Sequence, residues 1–277
     1  MYASVNQWSF GGGMTPPECL RAAKELGFSG FEPAFGETGV LSAEGFAADA
    51  KALREEAAAL GIAIPSLASG VYWQHPYSHA DAAERQRAIG LTRAQIDCAV
   101  ELGAKSVLVV PATVGKGFFG TGVGYADAYS RAQDALAAVA EHAKQAGVVI
   151  GVENVWNNFL LSPLEAARFL DEIGSPYVKM YFDVGNIVPY GEGADWIRIL
   201  GARICAIHVK DFRRAVGTID GFVPLLEGDV DWPAVLDALR GVGFDGALTA
   251  EVGTVPAEPL FGARQAAAAL ETILRNG

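Results

Sequence analysis

Short β-like runs alternate with longer Ala/Leu-rich helical segments eight times along this 277-residue chain. The runs fall near 2–8, 28–33, 62–69, 105–110, 148–153, 177–183, 203–209 and 246–251. Helical segments follow them near 16–26, 43–60, 80–102, 124–146, 163–173, 194–200, 232–242 and 258–275. The punctuation agrees with this reading. Gly27, Gly61, Gly103, Gly147, Gly174, Gly201 and Gly243 follow helical segments, where a glycine turns left-handed at little cost. Thr15-Pro16-Pro17-Glu18 and Ser162-Pro163-Leu164-Glu165 each supply a cap, a proline and a capping-box glutamate at a helix start. Such alternation predicts an α/β fold with a parallel sheet inside and helices outside. With no linker and no break in composition, residues 1–277 read as a single (β/α)8 TIM-barrel domain. A doubly wound open sheet is the competing topology, but Gly11-Gly12-Gly13 lacks the GxGxxG spacing its first turn usually carries.

Hydrophobic residues make up 51% of the chain and charged ones 19%, enough for a large buried core. The net charge of -11 argues against nucleic acid, whose binding depends on cations set against phosphates. Cys19, Cys98 and Cys205 are scattered and lack CxxC spacing, which fits a reducing compartment. No secretory leader is evident in MYASVNQWSF, and no apolar run reaches the ~20 residues that span a bilayer. The expectation is a cytoplasmic protein with no membrane partner.

Four of the later runs close on an ionisable residue: VVIGVEN on Glu153, VKMYFDVGN on Asp183, ICAIHVKD on His208 and ALTAEV on Glu251. Such groups at the ends of buried strands are costly unless paired or bound to a metal. In a barrel, strand ends line the C-terminal face where active groups gather. Alternation supports this placement. If these four point inward, Val148, Ile150 and Val152, then Val178, Met180 and Phe182, then Cys205, Ile207 and Val209, and finally Leu248, Ala250 and Val252 face the helices. All of these are apolar. Gly151, Ala206 and Thr249 then lie one layer beneath three of the four. Three carboxylates and one imidazole suit a divalent cation: Mn²⁺ is the expected metal, with Mg²⁺, Co²⁺ or Zn²⁺ as alternatives.

The segments Gly151-Val152-Glu153-Asn154, Phe182-Asp183-Val184-Gly185-Asn186, Ile207-His208-Val209-Lys210-Asp211 and Thr249-Ala250-Glu251 resemble the xylose-isomerase-like barrel superfamily. Within it the chain is most similar to the sugar phosphate isomerase/epimerase branch, near the ketose 3-epimerases of D-tagatose 3-epimerase type. Gly27-Phe28-Ser29-Gly30-Phe31-Glu32 and Glu227-Gly228-Asp229-Val230-Asp231-Trp232 extend the resemblance along the chain. It implies that Glu153, Asp183, His208 and Glu251 hold the metal, with Glu153 and Glu251 doubling as the catalytic acid/base pair. It also implies that Arg214 touches the substrate. Asn186 stands where such epimerases commonly have a histidine, and Phe159 stands where a second polar contact is expected, beside Asn157 and Asn158. Relatives of this kind are often dimers or tetramers, so a homo-oligomer is a further expectation.

The chemistry follows from the residue types. Inversion beside a ketone removes a weakly acidic C–H proton, and a dication stabilises the enediolate that forms. One carboxylate on each side then exchanges the proton. The expected function is metal-dependent epimerisation or aldose–ketose isomerisation of a ketose or ketose phosphate. A dehydratase of inosose or dehydroshikimate type is the alternative on the same scaffold. An apurinic-site nuclease would need more histidines than the four present. Around the cage, Glu32, Lys210, Trp8 and Asn186 join Arg214 as candidate substrate contacts, with Lys210, Arg213 and Arg214 as candidate phosphate clamps. His75, His79 and His142 read as surface or capping residues. Phe10, Tyr72 and Trp73 follow early strand ends and read as packing or walls for a sugar. Gly115 to Gly124, carrying Phe118-Phe119, reads as a loop able to close over the site.

Overall fold

In the computed structural model, residues 1–116, 122–255 and 257–276 are described; Phe118-Phe119 lie outside them. The strands are β1 (Tyr2–Asn6), β2 (Gly30–Glu32), β3 (Ala34–Phe35), β4 (Ser66–Ser69), β5 (Ser106–Val109), β6 (Val149–Glu153), β7 (Val178–Asp183), β8 (Ile204–Val209), β9 (Asp211–Phe212), β10 (Phe222–Val223) and β11 (Ala247–Ala250). The helices are α1 (Pro16–Glu25), α2 (Ala47–Leu60), α3 (Ala82–Leu102), α4 (Tyr125–Ala146), α5 (Pro163–Ile173), α6 (Gly193–Leu200), α7 (Trp232–Gly241) and α8 (Phe261–Asn276). Sheet order is β2-β1-β11-β8-β7-β6-β5-β4-β3, with parallel pairing throughout. The expected (β/α)8 barrel is borne out.

The second barrel strand, read as one run over 28–33, is two short strands on either side of Pro33. Proline has no backbone N–H to offer a neighbour. β2 therefore pairs with β1, β3 pairs with β4, and the two ends of the sheet are halves of one strand. The Pro33 carbonyl still accepts from Ala68, so the ring is carried across the break. The remaining pair, β9 with β10, is an antiparallel hairpin placed after β8.

Alternation divides the core in two. Ile150, Val152, Met180, Phe182, Ile207, Val209, Leu248 and Ala250 pack in the layer between sheet and helices. Each fully buried large side chain among them is worth roughly 1.5–3 kcal/mol. Ala68, Leu108 and Tyr181, with Ala206 against them, form a separate small cluster. One assignment is corrected. Register shifts between Met180 and Tyr181, whose partners are Ile204 and Ala206, so Cys205 lies in the irregularity without a partner. Its Sγ lies 3.2 Å from where a Gly151 Cβ would be, which puts it on the inner side rather than facing the helices.

Helix starts and stops are those the sequence marks. Thr15 and Glu18 form a capping box, Ser162 accepts from the Glu165 N–H, and Gly61, Gly103, Gly147 and Gly174 end their helices at positive φ. No helix among the described residues is long and apolar enough to cross a membrane.

Candidate active site

Glu153 ends β6, Asp183 ends β7, His208 is the penultimate residue of β8, and Glu251 follows β11. Register brings them level: Asp183 pairs with His208, and His208 with Thr249, two residues before Glu251. One ligand atom from each of the four lies within 4.8 Å of the others. His208 Nδ1 sits 3.0 Å from Glu153 Oε1 and 3.0 Å from Glu251 Oε2. Glu153, Asp183 and His208 are buried, while the Glu251 side chain is 22% exposed and forms the open side.

Lys210 enters the same cage. Its Nζ is 2.8 Å from Asp183 Oδ2 and 2.8 Å from Glu251 Oε2. This placement needs Gly185, because a Cβ there would lie 2.6 Å from the Lys210 Cβ. The Asp183 carboxylate is oriented by its own turn, with Oδ1 accepting from the Gly185 and Asn186 N–H groups at 2.9 Å each. Asn154 holds that strand end from the side, donating to the Asp183 carbonyl at 2.8 Å and accepting from the Asp183 N–H at 2.9 Å.

The electrostatics of this cluster are strongly perturbed. Burial pushes the Glu153 carboxyl up to about 7 against the pull of Lys210 and His208. Burial would raise Glu251 too, but the Lys210 and His208 charges and their hydrogen bonds prevail and bring it down to about 2. Desolvation opposes charge on His208, yet the Glu32 carboxylate and contacts with Glu153, Glu251 and Glu32 hold its imidazole well above its ordinary value. The Lys210 ammonium is likewise raised, because Asp183, Glu251 and Glu153 outweigh its desolvation.

These residues fit a divalent cation. Asp183 Oδ2 is buried and, among the described residues, meets the Lys210 ammonium alone, which leaves a lone pair for a metal. The Nδ1 of His208 faces two carboxylates, a place where a metal can replace a proton. Glu32, Glu153, Asp183 and Glu251 outnumber the neighbouring cationic groups His208 and Lys210, and this excess of negative charge favours a dication.

Above the cage opens a cavity of about 480 Å³, lined by Glu153, Asn186, Lys210 and Glu251 at its floor. Trp8, Trp73 and Trp156 wall it, and the hairpin after β8 contributes Ile219, Phe222 and Val223. Asn186 donates its amide to the Asn154 carbonyl at 2.8 Å, which leaves its Oδ1 as the end offered to a ligand. The aromatic wall is the one the sequence places after early strand ends, through Trp8 and Trp73. Trp156 and the hairpin escape sequence reasoning, since apolar residues in loops carry no periodic signal.

Other expectations are corrected. Glu32 does not line the cavity: it is 0% exposed, below the cage, and fully engaged by other side chains. Arg214 also lies away from the cavity, bound to the Val188 carbonyl at 2.8 Å, to Gly191 and to Glu192. Lys210 is at the floor, but its ammonium serves Asp183 and Glu251 rather than standing free as a phosphate clamp. Arg213 binds Glu227. Phe159 packs among Tyr125, Tyr129 and Phe169, so that position reaches no ligand. His75 is paired with Glu37 and Glu84, and His142 with Asp97, in keeping with structural roles. Tyr72 is buried against Thr92 and Gln95.

A (β/α)8 barrel whose strand ends converge on an acid–histidine cage has the build of a barrel enzyme. The chain belongs to the xylose isomerase-like TIM barrel family, whose description matches residues 20–273. It is 29% identical over 256 residues to a protein of Escherichia coli (strain K12) named a putative L-ribulose-5-phosphate 3-epimerase, covering 88% of this chain and 86% of that one. An L-ribulose 3-epimerase of Mesorhizobium japonicum is 27% identical over 206 residues, 71% of this chain and 64% of its own. Among solved structures, a D-psicose 3-epimerase with D-tagatose from Clostridium cellulolyticum H10 matches with a TM-score of 0.80, at 19% identity and over 99% of each chain. That last likeness is one of fold. The relatives are epimerases by name, hence isomerases, as expected from the sequence.

Proposed function

We propose that the protein is a metal-dependent ketose 3-epimerase in which Glu153 and Glu251 exchange the proton. The observation that carries this reading is the pair itself. Two carboxylates from strands separated by β7 and β8 reach the same imidazole nitrogen and line the same cavity. The epimerase names of the relatives support it.

Glu153, Asp183, His208 and Glu251 would hold the metal, with Mn²⁺ the expected ion. When bound, the dication supplies Lewis-acid polarisation that makes the C–H beside a carbonyl more acidic. Inversion requires one group to take a proton and a second to return one from the other side. Glu153 and Glu251 supply these two, each acting as base for one epimer and acid for the other. A carboxyl raised by burial and lowered by neighbouring cations can serve in both directions. Lys210 keeps Glu251 ionised and oriented, and Asn186 Oδ1 accepts from a sugar hydroxyl. Trp8, Trp73 and Trp156 pack on the sugar and exclude water.

Incubation of the Mn²⁺-loaded protein with free and phosphorylated pentuloses and hexuloses in D₂O tests the reading. Deuterium at C3 is expected. Label at C1 or C2 would mean aldose–ketose isomerisation, and an ultraviolet-absorbing product would mean dehydration. Absence of exchange with every sugar of both sets would refute the proposal.

A further inference from the structure

Glu32 stands below the cage with four groups directed at its two oxygens. Oε1 accepts from the Ser66 hydroxyl and the Tyr181 hydroxyl, each at 2.6 Å. Oε2 accepts from the Asn6 amide at 2.6 Å and lies 2.7 Å from His208 Nε2. An ionised carboxylate accepts only, with about four lone-pair sites. All four are used, so no site is left for a substrate hydroxyl.

The nitrogen facing Oε2 must therefore carry hydrogen. A neutral imidazole has a single N–H, so a hydrogen on Nε2 leaves Nδ1 with its lone pair. Nδ1 is the nitrogen that points at Glu153 and Glu251. We propose that Glu32 is a positioning residue that fixes His208 as its Nε2–H tautomer and so aims Nδ1 at the cation, an inference that rests on the metal-dependent reading above. The network joins β1, β2, β4, β7 and β8 through Asn6, Glu32, Ser66, Tyr181 and His208, so ring and strands hold one another in place. A charged acceptor also makes the ligating nitrogen a better donor to metal.

The test is calorimetric Mn²⁺ titration of the metal-stripped, full-length protein and of Glu32→Gln, Glu32→Met and Tyr181→Phe. Glu32→Gln keeps an acceptor oxygen but loses the charge, and Mn²⁺ affinity should fall about 10-fold; Glu32→Met removes the acceptor and should cost about 100-fold. Tyr181→Phe deletes a donor to Glu32 but spares the His208 contact. It should lower the melting temperature while leaving affinity within about twofold. Nitrogen-15 histidine spectra of the Mg²⁺-loaded wild type should place the ring hydrogen on Nε2, a readout independent of whether Glu32→Met folds. Unchanged affinity in Glu32→Gln, an equal loss in Tyr181→Phe, or a hydrogen on Nδ1 would each overturn the role of Glu32 while sparing the metal reading. A wild type that binds no Mn²⁺ would instead sink both.

Discussion

Below the cage, Glu32, Ser66 and Tyr181 form a network with every side-chain oxygen partnered and at most 1% of each residue exposed. One layer higher, Glu251 is 22% exposed, Asp183 Oδ2 has the Lys210 ammonium as its one close partner among the described residues, and two carboxylates share one imidazole nitrogen. Both layers are charged and both lie inside the barrel, yet only the lower one is complete without a ligand. Fully satisfied buried networks stiffen the structure around them. Excess charge left open to a cavity is where a cation and a substrate can act.

Metal removal should separate the two layers most sharply. Chelation is expected to abolish turnover, with recovery on adding Mn²⁺, while the far-ultraviolet circular dichroism of the barrel stays unchanged. Collapse of the spectrum would show that the lower layer does not stand alone. Next in size come Glu153→Gln and Glu251→Gln, each expected to cost about 10²–10⁴-fold in kcat. Near-normal turnover in either variant would refute the paired-acid assignment.

A pH series on the metal-free protein probes the upper layer by itself. Folding raises Glu153 from 4.5 to about 7, so the native state holds a proton that the unfolded chain has lost. Its contribution to stability therefore declines as pH rises from about 4.5 to about 7. Glu251 works the other way: brought down to about 2, it stabilises above 4.5 and loses that effect as pH falls. Melting temperatures from about pH 5 to 8 should drop for the metal-free protein. The gain from added Mn²⁺ should grow over the same range, because its ligands must give up protons. A flat profile would remove the raised Glu153 from the account. Tyr181→Phe, confined to the lower layer, should cost about 1 kcal/mol in urea unfolding with kcat little changed. Arg214→Ala should do least: it touches neither layer, and kcat/KM should stay within about threefold, since a surface change of this kind costs about 0.5 kcal/mol or less.

The upper layer was legible in the sequence because each of its acids and its histidine ends an apolar run with strand periodicity. Alternation then sets Val152, Phe182, Ile207 and Ala250 outward. The lower layer was harder to read. Glu32 also ends a strand, but how deep it lies depends on stagger between strands, which a linear pattern does not carry. Tyr181 could have been found: it lies two residues before Asp183 and therefore on the same face. The Cys205 irregularity left no such trace, since an extra residue changes the side-chain parity without altering the apolar character of the run. Pro33 was a readable break, for proline cannot serve a central strand as donor. Arg214 was placed by kinship alone, and its carbonyl partners Val188 and Gly191 belong to the turn after β7, whose course no local pattern specifies.

Gly185 and Lys210 interlock: a Cβ at 185 would lie 2.6 Å from the Lys210 Cβ and 2.8 Å from its carbonyl carbon and oxygen. For anyone diversifying this scaffold toward a new sugar, position 185 is therefore closed to side chains whatever stands at 210. The carbonyl belongs to the backbone and the Cβ to every residue but glycine, so no exchange at 210 makes room at 185, and saturation of position 185 should return mostly inactive clones. The wall residues Trp73, Ile219 and Val223 line the cavity without joining the cage, and specificity can drift there while the chemistry is inherited intact.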